Sequence, residues 1–123
     1  MRRIKLTVTT ASDGTVTAYS PRVAGKVHSL HYVKDATNAY ADGVDFTITA
    51  EATGETVWTE SNVNASAVRY PRAATHSTVG VASLYAAGGT AVQDKVALAS
   101  DRIKIAIAQG GSAKVGAFHI LVD

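Results

Sequence analysis

The chain has no cysteine, one tryptophan, one methionine and two prolines in 123 residues. Without cysteine there is no disulfide framework, no thiolate nucleophile and no cysteine-ligated metal. Charge is also sparse, at 18% Asp, Glu, Lys and Arg, below the roughly 25% of an ordinary soluble domain. Twelve basic against ten acidic side chains leave a formal charge of +2. A nucleic-acid reader needs concentrated Lys and Arg, so nucleic acid is not an expected partner. No stretch approaches the ~20 apolar residues of a membrane-spanning helix, and no membrane partner is expected. The start, Met1-Arg2-Arg3-Ile4-Lys5-Leu6, lacks the apolar run of a secretory leader, so export by signal peptide is not expected.

Catalytic patterns are missing too. There is no GxSxG elbow, no HExxH helix and no glycine loop followed by Lys and Ser or Thr. Four histidines, His28, His31, His76 and His119, are scattered. The spacing of His28 and His31 places them on opposite faces of a strand, where they cannot share an ion. Asp42 and Asp45 beside Gly43 are common turn chemistry without the remaining oxygens of a calcium loop. The expectation is a non-enzymatic protein with no catalytic residue, no cofactor and no metal.

What the chain does have is β-branched. Fifteen valines and fourteen threonines suit a pleated surface. Ile4, Leu6 and Val8 alternate with Lys5, Thr7 and Thr9, and Ser12-Asp13-Gly14 supplies a turn before Thr15–Ser20. Lys26–Val33 has two partly apolar faces, as a central strand would. Val44, Phe46, Ile48 and Ala50 alternate with Asp45, Thr47, Thr49 and Glu51. Thr53-Gly54-Glu55 leads into Thr56–Val63, where Trp58 reads as a cover for one end of the core. Ile103, Ile105 and Ile107, then Phe118, Ile120 and Val122, repeat the alternation near the C-terminus.

The pattern predicts one all-β domain over 1–123, an antiparallel β-sandwich or jelly-roll-like fold with about seven or eight short strands. Its predicted core is Ile4, Leu6, Phe46, Ile48, Leu98, Ile103, Ile105, Phe118 and Ile120. Residues 1–3 read as an N-terminal arm. Residues 64–93 lose the period of two and read as one long irregular loop, with a short strand or helix inside it as alternatives. That loop holds Arg69-Tyr70-Pro71-Arg72, His76 and Tyr85. Arg and Tyr are enriched at interface hot spots, so Arg2, Arg3, Arg69, Tyr70, Arg72, His76 and Tyr85 are the expected partner-binding residues.

The run Val44-Asp45-Phe46-Thr47-Ile48-Thr49-Ala50-Glu51-Ala52-Thr53-Gly54-Glu55 followed by Val57-Trp58-Thr59 resembles small virion proteins of tailed bacteriophages. So does the ending Asp101-Arg102-Ile103-Lys104-Ile105, Ala108-Gln109-Gly110-Gly111, Lys114-Val115-Gly116-Ala117-Phe118. The resemblance implies a capsid decoration (cement) protein, made in the host cytoplasm and carried on the capsid surface. It would bind the lattice of the major capsid protein as a homo-oligomer, dimer or trimer, and stabilise the head. A head–tail or tail component has a similar texture. A carbohydrate-binding sandwich module is the alternative class, with Trp58, Tyr32, Tyr70 and Asp42 as its sugar platform.

Overall fold

The computed structural model describes residues 1–123. Eleven strands run β1 (Arg2–Thr9), β2 (Val16–Tyr19), β3 (Val23–Lys34), β4 (Asp45–Ala50), β5 (Thr56–Glu60), β6 (Ala67–Arg69), β7 (Arg72–Ala74), β8 (Gln93–Lys95), β9 (Ala97–Asp101), β10 (Ile103–Ala108) and β11 (Val115–Val122). There is no helix. The first sheet has the order β1-β11-β3-β6, with β9 also paired to β3, and the second has the order β2-β10-β4-β5. All pairings are antiparallel. The fold is the expected all-β sandwich, with eleven strands where the sequence pattern suggests seven or eight.

The core forms where the inward rows of the two sheets meet. Ile4, Leu30, Tyr32, Phe118 and Ile120 from the first sheet face Phe46, Ile48, Ile103, Ile105 and Ile107 from the second. Phe46 lies at its centre, edge-on to Tyr32, Trp58 and Phe118 at ring-centroid distances of 4.9, 5.4 and 5.1 Å. Such edge-to-face pairs add about 0.5–1.5 kcal/mol each beyond the area they bury. Trp58 is in this core, as its place in the sequence suggests. Of the nine expected core residues, eight are buried and Leu6 packs against them half-buried.

Of three register shifts, one of them between β3 and β9, two change which neighbours reach the core. Leu121 pairs with Ser29 and Val122 with Val27, so His28 is an extra residue in β3. Val27 and Leu30, three apart, therefore both reach the core. The same phase change removes the alternation argument that set His28 and His31 on opposite faces. In β5, Trp58 pairs with Ile48 and Thr56 with Thr49, which lets the neighbours Val57 and Trp58 both be buried.

Two boundaries differ from expectation. Residues 1–3 are not a free arm, because Arg2 and Arg3 are laddered to Val122 and Leu121. Residues 64–93 are not one long irregular loop, and of the two alternatives it is short strands, not a helix, that they contain. β6 and β7 lie within them, β8 begins there, and two isolated bridges join His76 to Ala82 and Leu84 to Ala91. Strands of three residues are too short to show a period of two.

Candidate docking site

β3 is long enough to hold two short partners on one edge. The peptide between Lys26 and Val27 gives its carbonyl to the Asp123 N–H and its own N–H to the Val96 carbonyl. The two groups of one peptide point to opposite edges, so β9 lies across β3 from β11. β6 lies on that same edge, with Arg69 opposite Leu30, while Ala97 of β9 is opposite Lys26. The chain thus leaves the edge of β3 after Arg69 and returns four β3 residues away, having built residues 70–96 as a projection.

The base of this finger is fixed to the body. Pro71 and Val96 are buried. Arg72 donates Nη1–H to the His28 carbonyl at 3.1 Å and to the Pro71 carbonyl at 2.7 Å. The Tyr70 ring meets His28 edge-on at 5.8 Å. β7 and β8 then pair as a two-stranded stem.

Beyond the stem the finger divides at a closed triangle of backbone hydrogen bonds. Thr75 N–H donates to the Val92 carbonyl, Val92 N–H to the Ser83 carbonyl, and Ser83 N–H to the Thr75 carbonyl, at 2.9, 2.9 and 3.0 Å. Two small hairpins leave this junction. One turns through Ser77 to Val81, with Gly80 at φ 81°, and the other turns through Tyr85 to Thr90, with Gly88 at φ 68°. The positive φ explains why glycine stands at both turns.

Side chains add little to the finger's cohesion. Val79 is 83% exposed, Tyr85 75%, Val81 63% and Leu84 41%. No Asp, Glu, Lys or Arg occurs from Ala73 to Gln93. An ordered projection whose outer part, Ala73 to Gln93, carries no charge and has apolar tips presents area that a partner would remove from water, at roughly 1.5–3 kcal/mol per fully buried large apolar side chain.

The expected binding residues divide into three groups. Tyr70, His76 and Tyr85 are exposed on the finger, as a docking role requires. Arg69 and Arg72 are engaged within the fold. The Arg69 guanidinium makes two hydrogen bonds to the Glu60 carboxylate, at 2.8 and 3.0 Å, and lies 5.7 Å from the Trp58 ring centroid. It bridges β6 of one sheet to β5 of the other. Arg2 and Arg3 are on β1, at the opposite edge of the first sheet from β6, so they do not join the finger. Val79, Val81 and Leu84 were not among the expected residues. The signal that marks them is the run without charge in which they sit.

The four-residue sugar platform is not assembled. Trp58 and Tyr32 are core residues, leaving Tyr70 and Asp42 exposed. A shallow cavity of about 340 Å³ between β5 and β6, lined in part by Glu60, Asn64, Ser66 and Arg69, contains no aromatic side chain. Asn64 there accepts the Gly43 N–H at 2.7 Å through its side-chain oxygen. No three His, Cys, Asp or Glu side chains are grouped to hold a metal ion.

No family model matches the chain, and no curated protein sequence matches it. Among solved structures it is similar to the crystal structure of FLHE, with a TM-score of 0.44 and 11% identity, over 98% of this chain and 94% of that one.

Proposed function

We propose that the chain is a non-enzymatic structural protein of a tailed-bacteriophage virion, a capsid decoration protein that sits on the capsid surface and stabilises the head. The finger formed by residues 70–96 is the observation that carries this reading. A stiff sandwich holds it at its base, and its tips expose Val79, Val81, Leu84 and Tyr85 with no charge among them. A cement protein must add binding energy across subunit boundaries. Ordered arms serve that purpose because little conformational entropy remains to be lost on docking. The sequence resemblance supplies the kind of particle, and the major capsid protein lattice is the partner. Assembly as a dimer or trimer belongs to the same reading.

The test is reattachment to heads stripped of the protein. Wild-type chain should co-sediment with them, and the double variant Val79→Ser, Tyr85→Ser should do so at least tenfold more weakly. Its melting temperature should stay within a few degrees of wild type, since neither side chain is buried. Unchanged co-sedimentation would remove the finger from the interface. Failure of the wild-type chain to bind any stripped head would end the reading.

A further inference from the structure

The first sheet has an outer face whose charge is all of one sign. Strands β1, β11, β3 and β6 contain no aspartate and no glutamate, and the one acid of the fifth strand, Asp101 of β9, is buried. Ile4, Val8, Phe118 and Ile120 point inward, so Arg3, Lys5, His119, Leu121, His31 and Val33 point outward. Register pairs Lys5 with His119 and His119 with His31, placing three basic side chains in one row across three adjacent strands. Arg3 stands in the next row, opposite Leu121. Between them is a shallow cavity of about 330 Å³ lined by Arg3, His31, Val33, His119 and Leu121.

Of the ten other Lys and Arg side chains, five are matched to a carboxylate. Lys26, Lys34, Arg69, Lys95 and Arg102 each have a carboxylate partner, Asp94, Asp42, Glu60, Asp123 and Glu51 in turn. Arg3 and Lys5 have none. The nearest acids along these strands are occupied. Asp123, which follows β11, pairs with Lys95, and Asp35, which follows β3, accepts the N–H groups of Thr37 and Asn38. Like charges directly opposite one another destabilise a sheet. The His119 pKa is held below the ordinary histidine value by burial, then by Arg3, Lys5 and His31.

We infer that this face is a receptor for the carboxylates of an acidic protein partner, seated between Arg3, Lys5, His31 and His119. It is a second contact surface, independent of the finger and of the kind of particle proposed above. A carboxylate supplies the counter-charge that the row lacks, while Val33 and Leu121 border it with apolar surface. A divalent metal ion is disfavoured on the same two imidazoles, because Arg3 and Lys5 would repel it. Bound carboxylate stabilises the protonated form of the His119 imidazole, so affinity rises as pH falls, by up to about tenfold for each unit by which binding raises that pKa.

Hexaglutamate peptide and the full-length chain provide the test, with binding followed by calorimetry and by the ring resonances of His31 and His119. The peptide should bind at least threefold more tightly at pH 5.5 than at pH 7.5 and should move both sets of resonances. Replacing Arg3 and Lys5 together by Gln should weaken it at least threefold, whereas Lys104→Gln on the other sheet should not. Both variants should melt with wild type, since neither change alters a buried side chain. Binding that is insensitive to pH, that leaves the two histidines unmoved, or that responds equally to Lys104→Gln would overturn the inference. So would zinc ion displacing the same resonances at micromolar concentration while the peptide does not.

Discussion

The Tyr40 hydroxyl donates its hydrogen to the backbone carbonyl of Val8, 2.6 Å away and buried in the core. Tyr40 belongs to the connection between β3 and β4, and Val8 to β1, so one hydrogen bond ties a long connection to the first sheet. The Tyr40 ring also stacks on Tyr32, with centroids 6.0 Å apart and planes 12° from parallel. Tyr40→Phe keeps the ring and removes the donor. The loss should be about 1–3 kcal/mol, because the carbonyl loses a partner where water cannot replace it. Urea unfolding should show a lower midpoint at unchanged slope.

Gly116 makes that stack possible. A Cβ at this position would come within 2.5 Å of Tyr40 Cε2 and 2.9 Å of Tyr32 Cε1. Gly116→Ala should destabilise by about 1–3 kcal/mol through overpacking. Thermal unfolding would measure it. A combined Gly116→Ala, Tyr40→Leu variant should lose less than the sum of the two single changes, since both act on one contact.

Alkaline pH should unfold the protein through the same two rings. Burial raises the Tyr32 and Tyr40 pKa values, and the Tyr40 value rises far above the ordinary tyrosine range. In the unfolded chain both ionise near pH 10. Their contribution to stability is therefore fully present below about pH 10 and is lost as pH rises beyond it. Absorbance at 295 nm should show two tyrosines that ionise only together with loss of near-ultraviolet circular dichroism.

The Arg69–Glu60 pair works in the opposite pH direction. Hydrogen bonding to Arg69 lowers the Glu60 pKa. Its contribution is present above the unfolded value, about pH 4.3, and is lost as pH falls through the lower folded value. Both side chains are partly exposed, so Arg69→Ala should cost no more than about 1 kcal/mol at neutral pH. A double-mutant cycle with Glu60→Gln, repeated at pH 3, should show the coupling shrink.

Much of this architecture is legible in the residues. The Ile4-Leu6-Val8, Phe46-Ile48-Ala50, Ile103-Ile105-Ile107 and Phe118-Ile120-Val122 rows each display a period of two because one face meets the core and the other meets water. Tyr40 is not legible, since a buried aromatic in a connection has no periodic neighbours. The bulge at His28 is equally silent in the sequence, and it moves every inward residue on one side of it by one position. The Lys5-His119-His31 row arises only from register, between residues far apart in the chain. Arg69 and Tyr70 look like one cluster when written in order. Arg69 ends β6 and turns to Glu60, while Tyr70, just past the strand end, remains exposed.

The finger should be the fastest-exchanging ordered part of the molecule. The amides of its junction, Thr75, Ser83 and Val92, are hydrogen-bonded, yet few apolar side chains cover them. Local opening there requires little buried surface to be exposed. Hydrogen–deuterium exchange should show the amides of Thr75, Ser83 and Val92 exchanging at least a hundredfold faster than those of Phe118 and Ile120. The proposed docking on a head predicts that attachment erases most of that difference.

Because the finger leaves β3 opposite Leu30 and returns opposite Lys26, its length is uncoupled from the register of both sheets. The entropic cost of a longer excursion grows only with the logarithm of its length. The edge of β3 is in effect a socket: hairpins of other sizes and compositions can be grafted between Arg72 and Lys95 while the same sandwich carries them.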